Sequence, residues 1–587
     1  MPSKTPQFDK ALDEILGALV PHRRLCVICG DEFEIFQEDI EMYGLIRVPP
    51  PRECPTCRMR KRMAMMGNIF QFYKRECGKH PGERVISQTD ERSPYKIYDN
   101  KYWWDVNEWD AISFGRPHDS LRPFGDQLIL LLQDVPHMAL ARFNKNIVNS
   151  DYTVDSFSIK NSYLASTVAL AENISYGVWV ISSKDSLDLL RADHLERCYD
   201  AIDCERCFNS QHIRSSSNCS DSYFLFECHN CQYCFGCTNL TNKKYCFFNE
   251  QLTHEEYRKK ISAIGLGSRR VREAYAKKFD DFIRSHGKFR SIHTKNSPGS
   301  VGDNLRDCRN CYWAFSALSV KFILTFYKNE NVRYSQDVAG AKDVTDVTIF
   351  GPGELCHNVI EGFSAQKVIA SYFIGDSIET EYSFECFDCK YCFGCSGLKK
   401  KQYCILNKQY TPEEYWRVVD EIKTAMLRDG IYGEFLPLPH SLFYYNDSYA
   451  QAMLPLDEQS ARKLDARWRS YEPSAEVAGI KTISADALPD NISDVSDDIL
   501  AIAVICEKTN RPFRITKQEL EFYRKHDIPI PTKHPQVRLL ERFKKKNPYH
   551  LWVTTCVNCG KEIYTSYGPD RPEKNIWCEA CYLKEIG

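Results

Sequence analysis

The middle of the chain carries short stretches in which apolar and polar residues alternate, with Gly, Asn, Asp and Ser between them. Examples are "DVTDVTIF" from Asp343, "KVIASYFI" from Lys367 and "DSYFLF" from Asp221. Stretches of this length, rich in Val, Ile, Tyr and Phe and bounded by turn residues, are typical of β-strands. The pattern therefore predicts a mainly β protein built from short strands.

These stretches recur at a fixed interval. Twelve residues separate successive members of two series: Val320, Val332, Val344, Cys356 and Val368, and Asn161, Asn173, Asp185 and Arg197. Short strands at a constant period, with polar corners between them, predict a β-solenoid whose inward ladder is Val, Ile, Ser and Cys. One coil would take about 12 or about 24 residues, and the spacing alone does not choose between them.

A second repeat shows that this region is a tandem duplication. Residues 226–257 return as residues 384–415, at an offset of 158 without a gap and with 19 of 32 positions identical. Each copy ends in Thr-x-x-Glu, at Thr253/Glu256 and Thr411/Glu414, which is a capping box that opens a helix. We therefore expect two duplicated β-solenoid halves with capping helices. The first closing helix should extend through "EEYRKKISAIGLGSRRVREAYAKKFDDFIRSH" and bend near Gly265 and Gly267.

Composition places the chain among ordinary globular proteins. It has 587 residues, a net charge of −2 and 43% hydrophobic residues, and it has no run of about 18 apolar residues that could cross a membrane. The N-terminal stretch carries acids within an amphipathic helix pattern, so it does not resemble a signal peptide. With 27 cysteines and no export signal, free thiols and metal ligands are expected rather than disulfides, in a cytoplasmic protein.

Both ends of the chain carry paired Cys-x2-Cys knuckles. Four thiolates from two knuckles suit a tetrahedral structural zinc ion, so we expect two zinc sites. The eight expected ligands are Cys26, Cys29, Cys54, Cys57, Cys556, Cys559, Cys578 and Cys581.

The two ends also align with each other. Cys26 falls on Cys506, while Cys29, Cys54 and Cys57 fall on Thr509, His534 and Val537. With one residue of slip, Cys77-x2-His80 falls on Cys556-x2-Cys559. Each end therefore looks like a two-site module that has lost one site. Two remaining donors cannot close a structural zinc site, so we interpret Cys77, His80, Cys506 and His534 as packed remnants.

Two further runs place four cysteines at three-residue steps. They are Cys228, Cys231, Cys234 and Cys237, and Cys386, Cys389, Cys392 and Cys395. Three interpretations remain open, namely iron–sulfur ligands, zinc ligands, and buried thiols of the solenoid ladder. Valine and serine occupy the same register elsewhere, which favours the ladder.

Basic residues follow the ribbon motif at both ends. They are Arg58, Arg60, Lys61 and Arg62, and Arg538, Arg542, Lys544, Lys545 and Lys546. Two basic helix starts beside ribbon modules, with Phe70, Phe72, Tyr73 and Tyr549 nearby, would suit a surface that tracks phosphates. A solvated helix face is the alternative, and the charge pattern alone does not decide between a nucleic acid and a protein as partner.

The string from Cys26 to Arg62 resembles the probable zinc-ribbon family. The whole order of motifs resembles a cysteine-rich repeat family of candidate-phylum bacteria with small genomes: ribbon, "SPYKIYDNKYWWD", cysteine repeats, "ITKQELEFYRKHDIPIP" and a closing ribbon. The resemblance implies an architecture and carries no activity with it.

The predicted architecture divides the chain into six parts. These are a helix and zinc-ribbon module (1–118), a helical connector (119–149), two solenoid halves with closing helices (150–290 and 300–435), a linker (436–500) and a C-terminal zinc-ribbon module (501–587).

No phosphate-binding loop and no nucleophile elbow is present, and we identify no small-molecule substrate. We therefore expect a non-enzymatic, zinc-binding intracellular scaffold that binds a macromolecule through its ribbons and solenoid face. The first alternative is a nucleic-acid- or ribosome-associated protein. The second is a metalloprotein with iron–sulfur or extra zinc sites in the four-cysteine runs.

Overall fold

The protein is mainly β, as the sequence predicts. A computed structural model describes residues 3–67, 71–143, 146–317, 320–322, 325–471 and 479–586. Within those residues it has 44 strands and 13 α-helices. Phe70 and part of the expected linker (472–478) lie outside the described residues.

The chain forms two compact units, and each combines one end of the chain with a distant central segment. The first unit comprises Met1–Ala141, Ile292–Ser470 and Tyr549–Leu551, and the second comprises Arg142–Ser291, Tyr471–Pro548 and Trp552–Gly587. The N-terminal cysteine module therefore shares a unit with the second repeat copy. The C-terminal module shares a unit with the first copy.

A 13-stranded sheet forms the centre of the second unit. Its pairs are parallel apart from the closing hairpin of the last two strands, and partners lie twelve residues apart, as in Val178↔Leu190 and Tyr223↔Phe235. The strands are Ile147–Val148, Thr153–Val154, Phe157–Lys160, Ala165–Ser175, Val178–Ile181, Lys184–Leu187, Leu190–Asp193, Ile202–Glu205, Gln211–Arg214, Tyr223–Phe226, Phe235–Thr238, Cys246–Phe247 and Glu250–Gln251.

A 14-stranded sheet forms the centre of the first unit. The twelve-residue register appears again in pairs such as Val332↔Val344 and Lys390↔Gln402. Its strands are Val301–Asp303, Cys308–Arg309, Tyr312–Ala317, Asn329–Arg333, Gln336–Val338, Ala341–Phe350, Gly353–Glu354, His357–Phe363, Ala365–Ile369, Tyr372–Gly375, Ile378–Glu381, Lys390–Phe393, Gln402–Ile405 and Lys408–Gln409. Four of these strands form a closed ring, in which each pairs with two of the others. They are Tyr312–Ala317, Asn329–Arg333, Gln336–Val338 and Ala341–Phe350.

One member of the predicted valine series lies outside this register. Val320 belongs to the hairpin of Val320–Phe322 with Thr325–Tyr327. The strands on either side of this hairpin pair at an offset of 21, as in Cys308↔Asn329 and Phe315↔Gln336. Nine extra residues therefore separate these strands, and Val320 lies among them. Its distance of twelve residues from Val332 does not reflect stacking in the sheet.

Both sheets turn a corner at every third residue. In the second unit Asn161, Leu164, Thr167, Leu170 and Asn173 all have φ between 47° and 57°. Left-handed backbone is unfavourable for residues other than glycine, so neighbouring layers must hold each corner in place. Part of that support is visible in the predicted asparagine series, because the Asn161 side chain donates to Asn173 at 3.1 Å and Asn173 donates to Asp185 at 2.6 Å.

One of the two residues between successive corners points inward, and these inward residues form the core of each unit. In the second unit these inward positions recur at every third residue, and the Val, Ile, Leu, Ala and Cys among them, from Ile159 to Cys246, form one apolar cluster. Buried serines such as Ser210 and Ser222 occupy other positions of the same register. A second cluster of the same composition extends from Leu305 to Cys404 in the first unit. Val, Ile, Leu, Ala and Cys therefore share one inward ladder in each unit.

Helices cover the sheets and complete the terminal modules. Those of the first unit are Pro6–Gly17, Gln37–Ile46, Pro55–Ala64, Asn100–Trp104, Phe124–Asp134, Pro412–Arg428, Tyr449–Met453 and Glu458–Lys463. Those of the second unit are His254–Ser262, Arg269–His286, Lys517–Lys525, Pro535–Lys545 and Glu579–Ile586. Among the described residues, no helix is both long and apolar enough to cross a membrane.

Both expected capping boxes are present. Thr253 accepts from the backbone of Glu256, Thr411 accepts from Glu414, and each glutamate accepts from the backbone of its threonine in return. The predicted single helix after Thr253 is two helices, because Ala263 ends the first and Gly265 takes a left-handed φ of 67° before Ser268 caps the second.

Four small β-hairpins, two near each end of the chain, carry the cysteine motifs. They are His22–Leu25 with Glu32–Ile35, Tyr73–Glu76 with Arg84–Ser87, Ala503–Ile505 with Pro512–Arg514, and Trp552–Thr555 with Glu562–Thr565. A cysteine follows the first strand of every hairpin: Cys26, Cys77, Cys506 and Cys556.

Candidate metal centres

The N-terminal cluster assembles from a hairpin turn and a helix start. Cys26 and Cys29 lie in the turn, where Gly30 adopts a left-handed φ of 77° and donates its N–H to the Cys26 carbonyl at 3.0 Å. Cys54 is the residue before the helix Pro55–Ala64, and Cys57 lies in its first turn. The four sulfur atoms lie within 4.8 Å of one another.

The C-terminal cluster repeats this construction. Gly560, with φ of 71°, donates to the Cys556 carbonyl at 2.9 Å, and Cys578 immediately precedes the helix Glu579–Ile586, which contains Cys581. Its four sulfur atoms also lie within 4.8 Å of one another. Within the part of the chain that the structure describes, the two terminal clusters are the groups of His, Cys, Asp or Glu that meet this distance criterion.

Their dimensions fit a tetrahedral metal ion. A sulfur tetrahedron around zinc at 2.3 Å has edges of about 3.8 Å. The Cys29 and Cys54 sulfurs are 3.7 Å apart, and the Cys559 and Cys578 sulfurs are 3.8 Å apart. Backbone N–H groups support the ligands, since Cys54 donates to the Cys26 sulfur and Cys578 donates to the Cys556 sulfur, each at 3.2 Å.

The electrostatics of the N-terminal cluster also favour a cation. Hydrogen bonding from the Cys57 thiol lowers the pKa of Cys54 to about 5, although burial opposes the shift. Burial and the nearby Cys54 together raise the pKa of Cys29 to about 12. Because neighbouring thiolates raise one another's pKa, four of them can share this space only with a cation among them.

Of the other two hairpins, that of Cys506 keeps the backbone of a metal site but not the ligands. The turn of the Cys77 hairpin differs, because the Cys77 N–H donates to the Glu83 carbonyl, six residues on rather than five. Cys506 accepts at its carbonyl from Asn510, which has φ of 54°, at 3.0 Å, and its N–H donates to the Arg511 carbonyl at 3.0 Å. These bonds match those of Cys26 with Gly30 and Asp31. His534 stands at the helix cap of Pro535–Lys545, the place that Cys54 takes in the other module. The hairpin thus retains the fold of a metal site after losing its donor set.

Restoring the lost donors should restore a metal site. The triple variant T509C/H534C/V537C would place four thiols around Cys506 in the arrangement of Cys26, Cys29, Cys54 and Cys57. We expect elemental analysis to find one zinc more per chain than in the wild type. The single variant T509C is the control and should add none, because two thiols do not close a structural site. No extra zinc in the triple variant would contradict this account of the hairpin.

The two four-cysteine runs form part of the inward ladders. Each of their eight side chains is at most 2% exposed. Cys228 donates to the carbonyls of Phe226 and Cys237 at 3.5 Å, and Cys389 donates to those of Phe387 and Leu398 at 3.3 and 3.5 Å. These thiols therefore act as weak donors to their own and the next layer of backbone.

Serine does the same in the same column. Positions 210, 222, 234 and 246 follow one another at twelve-residue steps and hold Ser, Ser, Cys and Cys. The Ser222 hydroxyl donates to the Ser220 carbonyl at 2.8 Å and accepts from the Cys234 N–H at 3.0 Å. Hydroxyl and thiol are thus interchangeable donors here, which favours the ladder interpretation over a metal site.

Replacing Cys389 with valine should leave the fold and the metal content nearly unchanged. Valine is larger than cysteine by about one methyl group, but it fills the same ladder elsewhere, so the loss should stay within about 1–3 kcal/mol. Chemical denaturation and elemental analysis of the variant measure both quantities. Loss of metal from this variant would show that the run is a ligand set.

The basic residues expected to contact a partner are mostly buried in the structure. Arg58, Arg62, Arg538, Arg542 and Lys546 are at most 7% exposed, Arg60 and Lys61 are half-buried, and Lys544 and Lys545 are exposed. Sequence position alone suggested a surface, but four of the arginines are buried because aspartates lie opposite them. Arg58 and Arg62 pair with Asp346, and Arg538 and Arg542 pair with Asp188.

In the first unit this acid is Asp346. Arg58 Nε donates to it at 2.9 Å and Arg62 Nη1 at 2.8 Å. Although burial opposes ionisation, the two guanidinium groups lower the pKa of Asp346 to about 2. Tyr334, under the Arg58 guanidinium, donates to Asp39 at 2.9 Å.

The second unit contains the same cluster. Arg538 and Arg542 pair with Asp188, the latter at 2.8 Å, and Arg538 lies 4.6 Å from the centre of the Tyr176 ring. Asp188 and Tyr176 precede Asp346 and Tyr334 by 158 residues. The repeat offset, applied to acids as well as cysteines, was the sequence signal that could have identified both carboxylates.

No protein-family model matches this chain, and no curated protein matches its sequence. The resemblance to a zinc-ribbon family therefore rests on the residues quoted above and on the two clusters of four cysteines, which are compatible with a bound metal ion.

Proposed function

We propose that this protein is a non-enzymatic scaffold in which two structural zinc ions fix terminal modules that bind a macromolecular partner. The observation that carries the proposal is the pair of four-thiol clusters with tetrahedral edge lengths. Cys26, Cys29, Cys54 and Cys57 would hold one ion, and Cys556, Cys559, Cys578 and Cys581 the other. Bound zinc supplies a cross-link that small modules of this kind need to fold.

The two central sheets support a duplicated β-solenoid as the rigid part of the scaffold. The parallel twelve-residue register, the corner at every third residue and the 158-residue sequence offset fit coils of 12 rather than 24 residues. In this proposal the four-cysteine runs are ladder layers, so iron–sulfur and extra zinc sites become the less favoured alternative. All 27 cysteines are free, which suits a reducing, cytoplasmic compartment.

A protein partner is favoured over a nucleic acid at the terminal modules. Each module exposes large apolar side chains beside its cysteine cluster, at Val27 (59%) and Ile28 (44%) and at Val553 (59%) and Val557 (60%). Exposed apolar side chains are more typical of surfaces that bind proteins than of surfaces that bind phosphates. Four of the nine basic residues expected there neutralise buried aspartates.

Affinity capture with matched variants tests the scaffold role. The wild type and Cys389→Val should capture the same partner from the native cell. The double variant C29S/C559S should lose it, because each substitution removes one zinc ligand. A partner retained by the double variant would contradict the role of the modules, and no reproducible partner of the wild type would contradict the scaffold role.

A further inference from the structure

Basic charge collects at the closing helices of the first repeat copy. Residues 243–288 contain twelve lysines and arginines against six acids, although the whole chain carries a net charge of −2. This stretch includes the helices His254–Ser262 and Arg269–His286, which belong to the second unit.

Part of this charge is free of partners. Lys260, Lys277 and Arg284 pair with Glu250 or Asp281. The side chains of Lys243, Lys244, Arg258 and Lys259 are exposed and make no ion pair within the described residues. Four unpaired cations on one short stretch leave a local excess of positive charge over Glu255 and Glu256, the exposed acids of the same helix turn. Glu256 also accepts from the Thr253 backbone as part of the capping box.

Two stacked tyrosines lie next to these cations. The rings of Tyr233 and Tyr245 are 5.5 Å apart and 12° from parallel, and Tyr233 is 41% exposed. Lys244 directly precedes Tyr245 in the chain, and the ring of His254 lies 5.0 Å from the Tyr245 ring. Arg258 follows His254 by one helical turn, so it lies on the same face of the helix.

The equivalent corner of the second repeat copy is closed. Tyr391 and Tyr403 stack there at 4.9 Å, but Trp416 packs 5.3 Å from Tyr391 and the Lys4 ammonium lies 4.9 Å from the Tyr391 ring centre. At the offset of 158, Arg258 stands where Trp416 does. The first copy therefore keeps the stacked tyrosine pair, but Arg258 takes the position of the tryptophan that packs against the pair in the second copy.

We propose that this open corner, formed by Tyr233, Tyr245, Lys243, Lys244, Arg258 and Lys259, binds single-stranded nucleic acid. A flat exposed ring offers a platform for an unpaired base, and neighbouring lysines and arginines attract the phosphates on either side of it. A duplex cannot offer its bases to the ring, and a basic peptide is repelled by the four cations. The site shares no residue with either terminal cysteine cluster.

Fluorescence anisotropy with labelled 20-nucleotide oligo(U) and oligo(dT) tests the proposal on the full chain. The variant K243S/K244S/R258S/K259S should bind at least tenfold more weakly at about 50 mM salt. Its slope of log affinity against log salt should become shallower by about 2 to 3, since each phosphate contact on a single strand contributes about 0.7. Tyr233→Ala should weaken binding about 5- to 150-fold, the range found for loss of one base stack.

Two controls make the result specific. The variant K517S/K525S removes two exposed lysines of the helix Lys517–Lys525 in the same unit and should bind as the wild type does. Labelled 20-base-pair duplex should bind at least tenfold more weakly than either single strand. All substituted residues are at the surface or half-exposed, so the melting temperatures of the variants should stay close to that of the wild type.

Three results would overturn the proposal. They are absence of binding to either single strand, equal loss of affinity in K517S/K525S, and unchanged affinity in Tyr233→Ala. None of them bears on the zinc content or on the protein partner of the terminal modules, so this proposal and the scaffold role can fail independently.

Discussion

Replacing Asp346 with alanine should lower the free energy of unfolding of the first unit by about 3–5 kcal/mol. The substitution leaves the Arg58 and Arg62 guanidinium groups buried without their carboxylate, and removing one member of a buried ion pair has a cost of this size. Chemical denaturation followed by tryptophan fluorescence measures the change. The equivalent variant, Asp188→Ala, should destabilise the second unit by a similar amount through Arg538 and Arg542.

An exposed pair in the same unit provides the matched control. Lys367 and Glu379 are 3.2 Å apart, with their side chains 52% and 27% exposed, so Lys367→Ala should change the stability by less than about 1 kcal/mol. Equal effects of the two variants would show that the buried cluster has no special role. If Asp346→Ala fails to fold, the milder Asp346→Asn, which keeps the side-chain size, allows the measurement.

The cluster also predicts a pH dependence. Because Arg58 and Arg62 depress the pKa of Asp346 to about 2, below the unfolded value of about 3.9, ionised Asp346 stabilises the folded state. This contribution is complete above the unfolded pKa and is lost as the pH falls toward 2. The acid-induced loss of stability between about pH 5 and pH 2 should therefore be smaller in Asp346→Ala than in the wild type.

Replacing Cys57 with serine should release one zinc ion and loosen the N-terminal module. Small zinc modules fold only as they bind the metal, so the free energy of zinc binding, about 10–16 kcal/mol in isolated peptides, also stabilises the fold. Hydrogen exchange should therefore quicken across the hairpin His22–Leu25/Glu32–Ile35 and the start of the helix Pro55–Ala64.

Cys404→Ser is the matched control for this variant. Cys404 is also buried in the first unit, but its thiol donates to the Gln402 carbonyl at 3.5 Å, a bond that serine makes elsewhere in the ladder. We expect full zinc content and unchanged exchange in the module. Loss of zinc from the control, or retention of both ions by Cys57→Ser, would contradict the assignment of ligands.

The mainly β fold and the cysteine clusters could be predicted because both depend on local spacing. A twelve-residue interval fixes which residues stack, and Cys-x2-Cys fixes which thiols share a turn, so both are visible in a single sequence. Val320 shows the limit of this reasoning. Val320 lies twelve residues before Val332 only by chance, because nine extra residues separate the strands that pair on either side of it.

The orientation of the basic residues could not be predicted for a different reason. Arg58 and Arg62 begin a helix after a zinc knuckle, and nothing local indicates whether such a helix faces water or an acid. Asp346 lies 288 and 284 residues further along the chain from them. The same long-range pairing places the N-terminal module with the second repeat copy, an arrangement that chain order alone argued against.

The zinc and iron content of anaerobically purified protein tests the central claim most directly. The account predicts two zinc ions and no iron per chain, one zinc ion in Cys57→Ser or Cys581→Ser, and none in the double variant, while C231V/C389V keeps both. Iron in the wild type, or loss of metal from C231V/C389V, would contradict it.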